Sequence, residues 1–251
     1  MRRTTGWNAA LADLTRQRRK SANGPLRTGK RAARQTRVEK SEYIREQLFR
    51  AAAEVVGEEG YAGASITLIT QRAGVAQGTF YNYFDSRQDL LDKLLPSLGM
   101  HMLEHVRKAA LPGTRTFADL EKRSFEAFFS FLKENPHFLR ILNEAESYAP
   151  AGYHEHIEVV SRGYVRFLGR ALRNGEFPAF DERELEAIVF ILMAARGYLA
   201  ARYLGKGANR RTRTKLPPAV VDTYMKFVLC GLQGAALRHR APAPKRGKTG
   251  S

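Results

Sequence analysis

Cysteine is nearly absent: Cys230 is the single one among 251 residues. One thiol cannot close an intrachain disulfide, which excludes a disulfide-stapled secreted scaffold and fits a reducing compartment. Long apolar runs are also missing. The longest, Ala187 to Ala195, ends at Arg196 and is under half of the roughly 20 residues that a membrane span needs. The first arginines run into Trp7, Asn8 and Asp13 with no apolar stretch of signal-peptide length. The expectation is a soluble, cytoplasmic chain with no membrane partner. Catalytic signatures are lacking too: there is no Gly-x-Ser-x-Gly elbow, Cys-x-x-Cys pair or dinucleotide fingerprint. Gly24 to Arg31 nearly spells a P-loop but has no Ser or Thr after Lys30 and no preceding strand. His101, Glu104 and His105 fit a His-x-x-Glu-His zinc pattern without a persuasive further ligand. No enzyme, metal or cofactor is expected.

Acidic residues are in deficit, 25 against 42 Lys and Arg, for a net charge of +17. The excess is not spread evenly. Residues 1–40 carry 12 basic and 2 acidic side chains, residues 205–215 add +5 and residues 238–251 add 5 more basic groups, while 41–204 has a net charge of −3. Basic ends on a nearly neutral body suggest an arm that finds a polyanion by counterion release, nucleic acid ahead of a membrane or an acidic protein. With 43% hydrophobic residues there is material for a core, which excludes a wholly disordered chain.

The body reads as all-α. Ile44, Leu48, Ala51, Ala52, Val55 and Val56 recur at helical spacing between a capping Ser41 and Gly60. Leu90, Leu91, Leu94, Leu95 and Leu98 repeat the pattern after Arg87, with Pro96 expected to bend or interrupt that helix. Further helices are expected at about 116–134, 137–147, 153–174, 182–204 and 218–238. No run alternates long enough to demand a sheet. The expected organisation is a basic, largely disordered arm (1–40), a three-helix domain (41–86), a larger helical domain (87–238) and a basic tail (239–251).

Residues 65–91 carry the functional signal. A short helix ending at Ala73, Gly74 in the turn and Val75 pinning a second short helix make a helix-turn-helix. The second helix presents Gln77, Thr79, Tyr81 and Asn82, which can hydrogen-bond base edges and phosphates, and Gly78 lets the backbone come close. It has no Lys or Arg, so phosphate affinity must come from elsewhere, and Arg34, Arg37, Lys40 and Arg45 are placed to supply it.

Ala73-Gly74-Val75, Gly78-Thr79-Phe80-Tyr81-Asn82-Tyr83-Phe84 and Arg87-Gln88-Asp89-Leu90-Leu91 together resemble the TetR family of bacterial transcriptional regulators, over about residues 41–98. The resemblance implies that Gln77, Thr79 and Asn82 lie near bases, that Thr67, Tyr81, Tyr83 and Arg87 fix phosphates, and that Phe80 and Phe84 anchor the core. Two residues depart from the family pattern: Thr70 where an alanine is common, and Ala76 where a serine would cap the recognition helix. The resemblance further implies a homodimer that binds double-stranded DNA at a palindromic operator, a repressor released by a small, largely apolar effector, with the helix from about Arg87 to Ala110 transmitting the change.

For that second half the residues give partial support. Phe125, Phe128, Phe129, Phe138, Leu142, Tyr164 and Phe167 can line an effector pocket or fill a helical core, and Glu144, Glu146, His154 and His156 could orient a ligand or face water. The stripes Ile188, Leu192, Leu199 and Val221, Met225, Val228, Leu232 can pair with a second copy or pack within one subunit. A protein that compacts DNA or acts as an adaptor through its basic tails, without an effector, is the alternative.

Overall fold

The structure, a computed structural model, describes residues 29–113, 116–204 and 216–233, with side chains from Val38 to Leu232. Residues 24–28 of the near-P-loop, most of the basic arm, the basic loop and the tail therefore lie outside the described residues, and Gly29 to Arg31 open the first helix. Among the described residues the elements are α1 (Gly29–Gly63), α2 (Ile66–Ala73), α3 (Gln77–Phe80), α4 (Arg87–Ala110), α5 (Phe117–Glu134), α6 (Phe138–Tyr148), α7 (Pro150–Arg173), a 3-10 turn (Glu182–Glu184), α8 (Leu185–Leu204) and α9 (Pro218–Gln233), with no strand. The fold is all-α: an N-terminal helix-turn-helix domain followed by a larger helical domain.

Local chemistry sets most boundaries. Gly60 leaves helical geometry at φ 79° and ψ 169°, ending the main run of α1. Ser65, Ser86 and Thr116 cap α2, α4 and α5 by accepting the N–H groups of Leu68, Asp89 and Asp119. Pro150 opens α7, where its missing N–H costs nothing. Two expectations change. α1 starts at Gly29, ahead of Ser41, because the intervening residues are good helix formers with no breaker among them. Pro96 does not interrupt α4. A proline there cannot bond the carbonyl of Asp92, and α7 uses the space: a Cβ on Gly152 would lie 2.0 Å from that Asp92 oxygen.

One continuous apolar core runs from Leu48 in α1 to Leu232 in α9. α4 sits at its middle, burying Leu90, Leu91, Leu94, Leu95 and Leu98 and packing mainly against α5 and α7. Glu182–Leu204, 23 residues with mean hydropathy 1.5 in its most apolar window, is long and apolar enough to cross a bilayer, which the shorter run Ala187–Ala195 did not suggest. Its apolarity has two sources: Leu185, Ile188, Val189, Leu192 and Ala200 face the core, while Phe190, Ile191 and Tyr198 are exposed. Arg196 in its middle is bonded to buried Glu121 within the protein.

Candidate DNA-binding and effector sites

The helix-turn-helix is built on local bonds. Gly74 adopts φ 70° and ψ 32°, the left-handed conformation that ends α2, and Val75 N–H donates to Thr70 O at 3.0 Å. The unusual Thr70 is buried and satisfied, its hydroxyl donating to Ile66 O at 2.9 Å. Phe80 and Phe84 are buried as expected, with ring centroids 5.5 Å apart, and Phe49 of α1 meets Phe84 edge-on at 5.2 Å. That anchor fixes the opposite side of α3. Gln77, Gly78, Tyr81 and Asn82 are exposed, Thr79 and Tyr83 half-buried, and nothing lies within 4 Å of a Cβ placed on Gly78. Thr67, Lys40 and Arg45 are exposed as well. Arg34 and Arg37 fall in the first turns of α1, where side chains lie outside the described residues. Ala76 provides no side-chain cap to α3.

Arg87 is engaged differently from what the resemblance implied. Its Nε donates to Ala64 O and its Nη2 to Tyr61 O, so it caps the end of α1 and locks α4 onto it. A guanidinium spent on those carbonyls is not directed at a phosphate. Arg72 is also spent, on Glu58 at 2.7 Å and Glu54 at 3.5 Å.

A second junction joins the halves besides α4. Arg140 of α6 donates to Gly57 O at 3.1 Å and Glu58 O at 2.8 Å, and Glu144 accepts the Tyr61 N–H at 3.0 Å while pairing with Arg140 at 2.7 Å. Burial works to raise the Glu144 pKa, but the bonds from Arg140 and Tyr61 hold it below the usual value. Glu144 is therefore a cap for α1. Tyr148 stacks on buried Tyr61 at 6.1 Å. His156 is buried against Phe138, and burial lowers its pKa to about 4. Glu146 and His154 are exposed. In α4, Glu104 pairs with Arg107 at 2.7 Å and His105 meets Phe131 edge-on, so the zinc-like pattern is accounted for by helix-surface pairs and packing.

The expected effector residues divide. Phe125, Phe129 and Phe138 are buried, and Phe128, Leu142, Tyr164 and Phe167 are partly buried against the core. Phe138 packs with Phe131 and lines a small cavity of about 50 Å³ with Leu98 and Ile141. Phe125 and Tyr164 instead surround a buried charge cluster that the sequence reading did not find. Glu121, 0% exposed, accepts from Tyr164 Oη at 2.6 Å, Tyr224 Oη at 2.5 Å and Arg196 Nη2 at 2.7 Å. Arg196 Nη2 also donates to Ser124 Oγ at 2.8 Å and Tyr164 Oη at 3.1 Å. Burial alone would lower the Arg196 pKa, but the Glu121 charge beside it more than reverses that and keeps the guanidinium protonated. Burial raises both tyrosines above their usual value.

The expected dimer stripes are corrected by their burial. Ile188, Leu192, Val221, Met225, Val228 and Leu232 are buried within the subunit and Leu199 is partly so. The exposed apolar side chains of the same helices are Phe190, Ile191, Tyr198 (81% exposed) and Phe227 (72% exposed).

An all-helical chain with a capped helix-turn-helix on a larger helical domain is the construction of a DNA-binding transcriptional regulator. Residues 48–94 match the model of the bacterial regulatory proteins, tetR family, which covers the helix-turn-helix and the start of α4. An uncharacterized HTH-type transcriptional regulator of Bacillus subtilis (strain 168), YvdT, is 42% identical over 72 residues, 29% of this chain and 37% of that protein. The fatty acid metabolism regulator protein of the same organism is 29% identical over 134 residues, 51% of this chain and 66% of its own. Both alignments thus span less than two thirds of those relatives. The structure of the transcriptional regulator FadR from Bacillus subtilis in complex with stearoyl-CoA superimposes with a TM-score of 0.58 at 19% identity, over 74% of this chain and 97% of that one, which establishes the shared fold.

Proposed function

We propose that the protein is a cytoplasmic, dimeric repressor that binds a palindromic operator and is released by a small, largely apolar effector of the acyl class. The observation that carries the DNA reading is the surface of α3. Gln77, Tyr81 and Asn82 stand exposed without an intrachain side-chain hydrogen bond among the described residues, on a turn held rigidly by buried Phe80 and Phe84. Gln77, Thr79 and Asn82 read bases in the major groove, Gly78 admits the backbone, and Thr67, Tyr81, Tyr83, Lys40 and Arg45 hold phosphates. Arg34, Arg37 and the basic arm raise affinity for any sequence by counterion release.

Dimerisation uses the outward faces of α8 and α9, where Phe190, Ile191, Tyr198 and Phe227 are exposed. Two such helices from each subunit make a four-helix bundle. The acyl class is supported by the likeness to the fatty acid metabolism regulator, which extends well past the DNA-binding domain, and by the stearoyl-CoA complex of a protein of the same fold. Effector binding shifts α4 and α6, the two junctions to α1, and through them the spacing of the recognition helices, so that effector and operator weaken each other.

The test is binding of the full chain to its own upstream DNA and to unrelated DNA across a salt series. A preference of about a thousandfold is expected of a specific regulator. Equal binding to both, lost together as salt rises, overturns it in favour of sequence-blind binding through the basic segments.

A further inference from the structure

The cluster around Arg196 joins four helices of the second half: Glu121 and Ser124 from α5, Tyr164 from α7, Arg196 from α8 and Tyr224 from α9. Its hydrogen-bonding capacity is unevenly used. Glu121 is fully buried and takes three donors. Arg196 donates through Nη2 and, at 3.5 Å, through Nε, which leaves both Nη1 hydrogens over among the described residues. Its side chain is 12% exposed, and its guanidinium lies 5.8 Å from the Phe125 ring and 5.2 Å from the Tyr164 ring. The unfilled polar capacity is thus donor capacity, set among aromatic faces.

Charge narrows the ligand further. Glu121 neutralises Arg196, so the cluster is net neutral. A second carboxylate brought to Arg196 would be repelled by Glu121 in a medium that screens poorly, whereas a carbonyl oxygen would not. We propose that Arg196 is the headgroup residue of the effector site, its Nη1 donating to the carbonyl of a neutral acyl derivative such as a thioester, whose chain lies along the aromatic side chains. Glu121 positions Arg196 and discriminates against free carboxylates. This rests on the acyl-effector reading above and deepens it.

The test compares two probes with one chain and different headgroups, dodecanoyl-N-acetylcysteamine thioester and dodecanoate, by titration calorimetry on the full chain. The wild type is expected to prefer the thioester by about tenfold or more. Glu121→Gln removes the repelling charge with little change of shape, and dodecanoate should gain about tenfold relative to the thioester. A preference unchanged in Glu121→Gln, with both probes bound, overturns the assignment and leaves the acyl reading standing. Binding of neither probe to the wild type overturns both. Should Glu121→Gln lose its helical circular dichroism, Glu121→Gln/Arg196→Gln, which carries no buried charge, decides: thioester affinity at the wild-type level overturns the assignment, and a fall of about tenfold supports it.

Discussion

The two halves of the molecule are held by different kinds of interaction. In the helix-turn-helix the decisive bonds are short-range: Ser65 caps a residue three positions on, and Gly74 turns the chain where it stands. In the larger domain they are long-range, with Glu121 bound to Tyr164, Arg196 and Tyr224 at separations of 43, 75 and 103 residues. A domain that must present one fixed surface can be specified locally. A domain that is to change shape with a ligand gains from contacts that tie several helices to one point.

The largest effect should separate the halves by their ion pairs. Arg196→Ala leaves Glu121 buried without its counterion and should cost about 3–5 kcal/mol in urea unfolding, most of it recovered in Glu121→Leu/Arg196→Met. Arg72→Ala removes a pair whose partners are more than a third exposed, and should cost under about 1 kcal/mol. Equal costs for the two would show that the Arg196 pair is open to water.

Two glycines draw the same contrast. A Cβ at Gly152 would meet the Asp92 carbonyl at 2.0 Å, so Gly152→Ala must push α7 off α4 and should destabilise by up to about 3 kcal/mol. At Gly78 nothing stands in the way, and Gly78→Ala should stabilise the isolated protein by about 0.5–1 kcal/mol. Its DNA affinity should nevertheless fall if the backbone approaches the operator there. Thermal unfolding with a gel-shift titration reads both.

What could be read from the sequence follows this division. The all-α class, the boundaries from Ser65 to Arg87 and the buried Phe80 and Phe84 were legible because capping residues and helical periodicity act within a few positions. Arg87 was read as a phosphate ligand because its partners Tyr61 and Ala64 lie 26 and 23 residues away. Arg196 registered only as the end of an apolar run, and Glu121 not at all, since nothing local distinguishes a buried carboxylate from a solvated one. The stripes on α8 and α9 revealed an apolar face without revealing whether it meets its own subunit or a copy. α8 is apolar on both sides, and the inward set was the one mistaken for an interface.

Acid should weaken the larger domain selectively. Burial depresses the pKa of His156 to about 4 and also lowers that of His101. A depressed histidine means that the unfolded chain binds the proton first, so stability is full above about pH 6.5 and falls as the pH drops towards 4. For His156 the loss at pH 5 comes to about 2 kcal/mol. Denaturant unfolding at pH 7 and pH 5 should show it, and His156→Leu should flatten the difference. An equally steep loss in that variant would assign the effect to other groups.

A small effect, of the size expected at Gly78, concerns the one local signal that the helix-turn-helix lacks. Ala76 begins α3 in extended geometry, φ −66° and ψ 147°, with no side-chain oxygen for the first N–H groups of the helix. Ala76→Ser restores that acceptor, because the backbone is already in the conformation a capping serine uses, and should stabilise the protein by about 1 kcal/mol. The consequence for binding separates two roles for the uncapped turn. If α3 frays in the free protein, the serine removes an ordering cost and operator affinity rises with stability. If the bare N–H groups are used by a phosphate, the serine competes for them, and affinity falls while stability rises. Opposite signs in the two measurements would mean that the helix-turn-helix leaves its weakest cap open for DNA to fill.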